Sequence, residues 1–516
     1  MDVAVSRHQR LTTAGPSGVL PLVALVGTAA LFATYWDDAW HTDIGRDSAT
    51  IPPHLLLYGS VAVVGVGVVA WGVAALRATR SVGVVLRHRP LLLAGLGGTL
   101  TLTSAPIDAA WHSAFGRDSV LWSPPHMLGV FGTLALVTGV LLGSGHGRGT
   151  GWALSAAGAL VLGCTAVPVL EFETDVPQFD EVLYLPVLIA GTLVAVAVIR
   201  AAVPGPLPVA RAVVGYVVVR LAVTAGLVAL GRSSPDLPVA VLGLALVELP
   251  FRLTATRLAA GAAGVAATSW LAAATGLTSV PARAVATTAV PVIVVFALSL
   301  LATARAPRRP GPALLVLPIA VMLVATWARP ASAHDPGQGR PIAPVTLTAI
   351  SDGQGTLAAT VSAATPAAGT ANSSAPTAHA CTRLVPRRLV ARRAGETVTG
   401  VLRATDGCAF SGRLRVAPTG RWFVYAEFHD ASRADVEAWV PLDASRPGSV
   451  TERRELYVPS GGNANDAAAE QIAVGAALYA LGLALLGFLL TQVRRVARTL
   501  AVPAPATATE KDHRST

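Results

Sequence analysis

Twelve stretches of sixteen or more mostly apolar residues run through this sequence, about the length a helix needs to cross a bilayer. They fall near 17–36, 55–76, 91–107, 127–143, 151–170, 182–199, 209–230, 236–251, 257–276, 283–303, 311–330 and 470–493. Charge is too scarce for any other course: 13% of the 516 residues are charged and 53% hydrophobic, against about 25% charged for a soluble chain. A cytoplasmic enzyme, a disordered chain and a collagen-like repeat are excluded as descriptions of the whole. The sequence predicts a mostly α fold, a polytopic membrane helical bundle of about twelve spans. The first run leads straight into motif-bearing sequence, so it is expected to be a span rather than a cleaved signal.

The net charge of +10 would suggest nucleic acid in a soluble protein. Here the arginines sit in short junctions between apolar runs, and no nucleic-acid partner is expected. Arg7 and Arg10 precede the first run; Arg77, Arg80, Arg87 and Arg89 follow the second. Arg200 and Arg211, Arg252 and Arg257, Arg305 with Arg308 and Arg309, and Arg494 with Arg495 and Arg498 follow the sixth, eighth, tenth and last. Every second junction is basic, which predicts a multi-pass protein of the cell membrane with both termini cytoplasmic. The opposite junctions carry acids and histidines and are expected outside.

Residues 334–466 break the pattern. Alternation as in Val345-Thr346-Leu347-Thr348 and Trp422-Phe423-Val424-Tyr425-Ala426 reads as strands, with turns at Asp352-Gly353, Asp406-Gly407 and Thr419-Gly420. An Ala/Ser/Thr/Pro-rich piece at 364–380 reads as linker or long loop. The organisation expected is 1–143 as duplicated hairpins, 144–333 as a further bundle, 334–466 as an extracytoplasmic β-sandwich domain, and 467–516 as a final helix with a cytoplasmic tail. Cys381 and Cys408 both lie in the β domain, where an oxidising compartment favours a disulfide. Cys164 falls in an apolar run and reads as core.

One internal repeat carries chemistry. Its first copy is Asp37-Asp38-Ala39-Trp40-His41, Gly45-Arg46-Asp47-Ser48, Pro52-Pro53-His54; its second is Asp108-Ala109-Ala110-Trp111-His112, Gly116-Arg117-Asp118-Ser119, Pro124-Pro125-His126. Asp37 and His41 are i and i+4, hence neighbours on one helix face, and so are Asp108 and His112. His54 and His126 each open the next helix after a Pro-Pro suited to a helix start. Each hairpin thus offers one carboxylate and two imidazoles. That set suits copper or zinc and is too rich in nitrogen for magnesium or calcium, and copper ranks first in the usual affinity order. Arg46 with Asp47, and Arg117 with Asp118, are expected to hold the loops or orient an imidazole. The competing readings are an interfacial Trp-His anchor, a haem with paired histidines, and a purely structural or proton-carrying network.

The pattern Asp-x3-His-x12-His, with Trp before the first His and Arg-Asp-Ser in the loop, resembles the C subunit of particulate methane and ammonia monooxygenases. That resemblance implies copper bound within the membrane by Asp37, His41 and His54, and by Asp108, His112 and His126 with one residue more in the last gap. It covers about 20 residues per copy. The duplication, the extra helices and the β domain depart from that family and weaken the implied oxygenase activity more than the implied metal binding.

The run Arg308-Arg309, an apolar core and Ala331-Ser332-Ala333 before His334 looks like a secretory cleavage site. A freed His334 would chelate copper through amine and imidazole, as in CopC-type copper-resistance proteins, and His334 is therefore an additional candidate. The segments 420–427 and 437–442 resemble the FixH/YtkA type of small β-sandwich, found in copper and oxidase-assembly settings. Glu427 and His429 share a strand face there and are either metal contacts or plain surface. The acidic run Glu171-Phe172-Glu173-Thr174-Asp175 with Asp180-Glu181 reads as a solvated loop, a donor of one carboxylate or a cation attractor. Arg220 and Glu248, in the seventh and eighth runs, are expected to pair.

The function expected is copper handling: capture, delivery or export, with lipid around the helices and membrane subunits or copper chaperones as partners. The alternatives are a copper-dependent monooxygenase-like subunit and a haem-binding electron-transfer or assembly protein. No phosphate-binding loop appears, so transport driven by ATP within this chain is not expected.

Overall fold

The computed structural model describes residues 18–44, 50–115, 121–144, 151–305, 339–363, 384–405, 408–430, 433, 435–459 and 468–501. Its main helices are α1 (Val19–Asp43), α2 (Pro52–Thr79), α3 (Arg89–Phe115), α4 (Pro124–Gly143), α5 (Gly151–Ala166), α6 (Tyr184–Ala202), α7 (Pro208–Ala229), α8 (Thr254–Ala274), α9 (Ala282–Arg305) and α10 (Ala468–Ala501). Among the described residues eight helical stretches are long and apolar enough to cross a membrane: α1, α2, α3 as far as His112, α4, α5 continued to Glu173, α6 from Glu181, α7 and α10. This is a multi-pass membrane helical bundle with an antiparallel β region before its last helix.

One of the twelve expected spans is not a long helix, for a physical reason. The expected eighth span is a nine-residue 3₁₀ run, Ala240–Glu248, which rises only about 18 Å. Pro235 and Pro238 in front of it and Pro250 behind it deny the segment the amide donors and the backbone freedom a longer helix needs. The run is held against α8 by close backbone approach: a Cβ on Gly243 would collide with the backbone of Gly264. The Thr268 hydroxyl donates to Ala240 O at 2.6 Å. Helix α8 is not among the eight membrane-length apolar helices; α9, at 24 residues, is long enough to cross a bilayer. The expected span 311–330 and its candidate cleavage site lie outside the described residues.

The hairpins that matter are α1–α2 and α3–α4. Helix α2 starts on an extended Ile51 and α4 on an extended Ser123, each followed by the two prolines. The second hairpin is the tighter, because glycines let its backbones touch. A Cβ on Gly97 would strike Leu136 N, and one on Gly139 would strike Ala94 N.

The β region is one antiparallel sheet of nine strands in the order β4-β3-β7-β8-β9-β1-β2-β6-β5. They are β1 (Gly339–Asp352), β2 (Thr356–Ala363), β3 (Val385–Arg393), β4 (Glu396–Gly400), β5 (Leu402–Ala404), β6 (Ala409–Arg415), β7 (Arg421–His429), β8 (Asp435–Asp443) and β9 (Pro447–Pro459). Alternate side chains such as Leu347, Val361, Val424 and Phe428 turn into one core. The sheet folds over on itself, so that Phe410 on β6 stacks edge-on against Phe428 on β7 at 4.9 Å. The β1–β2 turn follows its sequence signal: Gly353 has φ +73°, and the Asp352 carboxylate accepts from the amides of Gln354 and Thr356. Cys408 packs against this core; Cys381 lies outside the described residues.

The β region sits on the end of the bundle that carries the two repeats. Arg393 on β3 bridges Asp175 at 2.7 Å and Glu181 at 3.0 Å. The Arg421 amide donates to Asp175 Oδ2 and its guanidinium to Ser233 Oγ. Arg454 on β9 donates to the carbonyls of Ile44 and Asp43, at the end of α1. Val176 joins Val390, Phe423, Tyr425 and Trp439 in a small apolar cluster at the same junction. The acidic run after α5 is therefore neither a solvated loop nor a metal site in its Asp175 and Glu181. It is the seat of the β region.

Candidate metal centres

Both sequence triads converge. The ligand atoms of Asp37, His41 and His54 lie within 4.8 Å of one another, and so do those of Asp108, His112 and His126. In the first, Asp37 Oδ1 is 3.6 Å from His41 Nε2 and 3.1 Å from His54 Nε2. In the second, Asp108 Oδ2 is 3.2 Å from His112 Nε2, and Oδ1 is 3.2 Å from His126 Nε2. The imidazole pairs are alike, with centroids 6.3 and 6.2 Å apart. Two groups of one carboxylate and two ring nitrogens at this spacing can each hold a metal ion.

Local structure explains the convergence. Asp37 and His41 occupy the last two turns of α1, and Asp108 and His112 those of α3. Helical i,i+4 geometry stacks each acid beneath its histidine. The two prolines then start the return helix with the third ligand in its first turn. The C-terminal end of a helix also carries partial negative charge, which favours a cation there.

The chemistry of these groups fits a cation. Asp37 Oδ1 and Asp108 Oδ1 are buried with ring nitrogens of their own triads as neighbours, His54 Nε2 at 3.1 Å and His126 Nε2 at 3.2 Å. His41 Nδ1 is buried without a hydrogen-bond partner among the described residues. Buried carboxylate oxygens are ordinarily satisfied. An ion shared by the carboxylate and the two Nε2 atoms would satisfy each acid where it stands.

The surroundings of the two triads differ. The first rests on a charged network. Fully buried Arg220 on α7 donates to Glu173 Oε2 at 2.6 Å, to the hydroxyls of Tyr35 and Tyr216, and to Asp236 O. Tyr35 is two residues before Asp37. The expected Arg220–Glu248 pair does not form. Glu248 instead accepts from Arg200 and from the amide of Val209, because the 3₁₀ run carries it to the far end of α7. Asp43, just past His41, accepts from the amide and hydroxyl of Ser233 at 2.7 and 2.6 Å. Asp236 accepts from Ser279 and Thr278. Burial pushes its carboxyl up to about 6, against the lowering effect of those hydrogen bonds.

The second triad is held by packing. Glu171 Oε1 accepts from the amide of Leu121 at 2.6 Å, and the Trp122 indole donates to Pro168 O at 2.7 Å. The Tyr479 hydroxyl on α10 donates to Trp122 O. Gly475 on the same helix is so close to Trp111 and Pro124 that a Cβ there would lie 3.1–3.3 Å from them.

Asp38 and Glu171 line a cavity beside the triads; sequence reasoning gave Asp38 no role, and read Glu171 only as part of an acidic loop that supplies a carboxylate, attracts cations or is plainly solvated. Asp38 had a signal, since the second copy has Ala109 in its place. Arg46, Asp47, Arg117, Asp118 and His334 lie outside the described residues. Glu427 is taken by Arg387, Arg388 and Arg392, and His429 contacts Asp435 at 2.8 Å. Among the described residues, neither joins a metal-type cluster. No protein-family model matches the chain, and no curated protein or solved structure matches it.

Proposed function

We propose that this is an integral membrane copper-binding protein that captures, delivers or exports copper through Asp37, His41 and His54 and through Asp108, His112 and His126. The observation that carries the reading is that two separate hairpins bring the same three ligand types together, with all ligand atoms of each set within 4.8 Å of one another. Nitrogen-rich donor sets of this kind favour copper, with zinc the second choice. The alternation of basic junctions supports both termini in the cytoplasm, with the triads and the β region outside. A copper chaperone or a further membrane subunit would meet the protein on that side.

The test is metal content, electron paramagnetic resonance and an optical spectrum on purified protein beside His41→Ala and His112→Ala. The reading expects two ions per wild-type chain, one per triad, and one in each variant. A copper-sensitive deletion strain would support handling. An intense Soret band, or full metal content in both variants, would overturn the reading. Substrate oxidation by copper-loaded membranes would favour the monooxygenase-like alternative, which rests on the Asp-x3-His-x12-His resemblance.

A further inference from the structure

One cavity of about 150 Å3 is bordered by ligands of both triads: Asp37, His41 and His54 from the first, and His126 from the second. Asp108 and His112 stand behind His126, and His112 is only 4% exposed. Among the described residues, His126 is thus the one ligand of the second triad that reaches the shared space. Asp38 lines the same cavity, and its Oδ2 is buried with no hydrogen-bond partner among the described residues. Where the repeat places Asp38 in one copy, it places Ala109 in the other. The extra acid therefore belongs to the cavity and is not needed to build a triad.

We propose that the two triads are stations in series on one internal path, with Asp38 as the intermediate ligand that passes a copper ion from the first triad to His126 of the second. The inference rests on the metal-binding reading above and adds to it a route and a direction. The cavity has room for an ion with some of its water. Much of its wall is apolar (Ala30, Leu31, Val137, Leu160), and a bare cation there would be costly without a carboxylate. A single carboxylate holds copper less firmly than a set with two imidazoles. That suits a stop that must release as readily as it binds. The step is ligand exchange alone. Bonds to Asp37, His41 and His54 give way to a bond to Asp38 and then to bonds to His126, Asp108 and His112, and the oxidation state of the ion is unchanged. The direction follows from the neighbours: the first triad lies under the β region through Arg454, while the second lies on the side of the bundle where α10 meets Trp111, Trp122 and Pro124.

The experiment follows Cu(II) uptake by the full-length protein in nanodiscs, stopped at intervals with a chelator and read as ions per chain. In series, the double variant His41→Ala/His54→Ala still fills the second triad to one ion, but about ten-fold more slowly than wild type takes its second ion. Asp38→Asn keeps both triads and reaches two ions per chain, with the second arriving about ten-fold late. Thr34→Leu, which narrows the cavity one turn before Asp38, delays the second ion in the same way. Second-ion uptake at the wild-type rate in the double variant and in Asp38→Asn would overturn the path while leaving metal binding intact. Wild-type protein that binds no copper would instead remove the metal-binding reading and the path with it. Native helix content and the final ion count separate a slow path from a misfolded variant.

Discussion

The two hairpins start from nearly the same motif and are built to different tolerances. The second is backbone against backbone, with Gly97 and Gly139 at the contacts, and α10 covers its mouth through Tyr479 and Gly475. The first has no such seam. At Gly67 on α2 a Cβ would meet only the Leu22 and Val19 side chains, at 3.2 Å and beyond. It is held from outside by ions and hydrogen bonds: Arg220 beneath, Ser233 beside, Arg454 above. Equal ligands in unequal settings teach that a motif fixes the donor set, while the neighbours fix how firmly it stands and what can reach it.

The largest contrast should come from the ligands themselves. His112→Ala is expected to remove the second ion and leave the first, and His41→Ala to do the reverse, in metal analysis at equilibrium. Equal loss of both ions from either variant would mean that the triads are one site. Next comes the footing of the first triad. Arg220→Met leaves Glu173 buried and unpaired and is expected to cost about 3–5 kcal/mol in detergent unfolding. Copper affinity should fall at the first triad and hold at the second. Adding Glu173→Gln should recover part of the loss.

A smaller effect is expected from pH. The Asp236 carboxyl, raised to about 6 in the folded protein, binds its proton more tightly there than in the unfolded chain. Its contribution is therefore complete below about pH 4 and fades as pH rises through 6, by on the order of 2 kcal/mol. Asp236→Asn should flatten the stability profile across that window; an unchanged slope would refute the assignment. The smallest change should follow Arg454→Ala, which frees the Asp43 and Ile44 carbonyls. Affinity at the first triad is expected to drop about ten-fold by chelator competition, with none at the second.

The triads were legible because each depends on short-range rules: i,i+4 stacking for Asp37–His41, and a proline-started helix for His54. The β region was legible from alternation and turns such as Asp352-Gly353. What escaped was set by distant partners. Nothing near Arg220 in sequence points to Glu173, and nothing near Asp175 points to Arg393 on a strand more than two hundred residues away. Hydropathy also read a span near 236–251, because apolar content there outweighed the prolines that limit its helix to nine residues. The cavity shared by the triads is a property of how the hairpins pack, and only the exchange of Asp38 for Ala109 hinted at it.

Helix α10 is made last, after the whole β region has left the ribosome. Until it inserts, Trp111 and Pro124 lack the neighbour that Gly475 brings against them, and Trp122 lacks its bond from Tyr479. Chains grow and fold from the amino terminus, so the first triad can close early while the flank of the second waits for α10 to emerge. A chain cut short before residue 468 would carry a finished first hairpin, a docked β region and an open flank on the second.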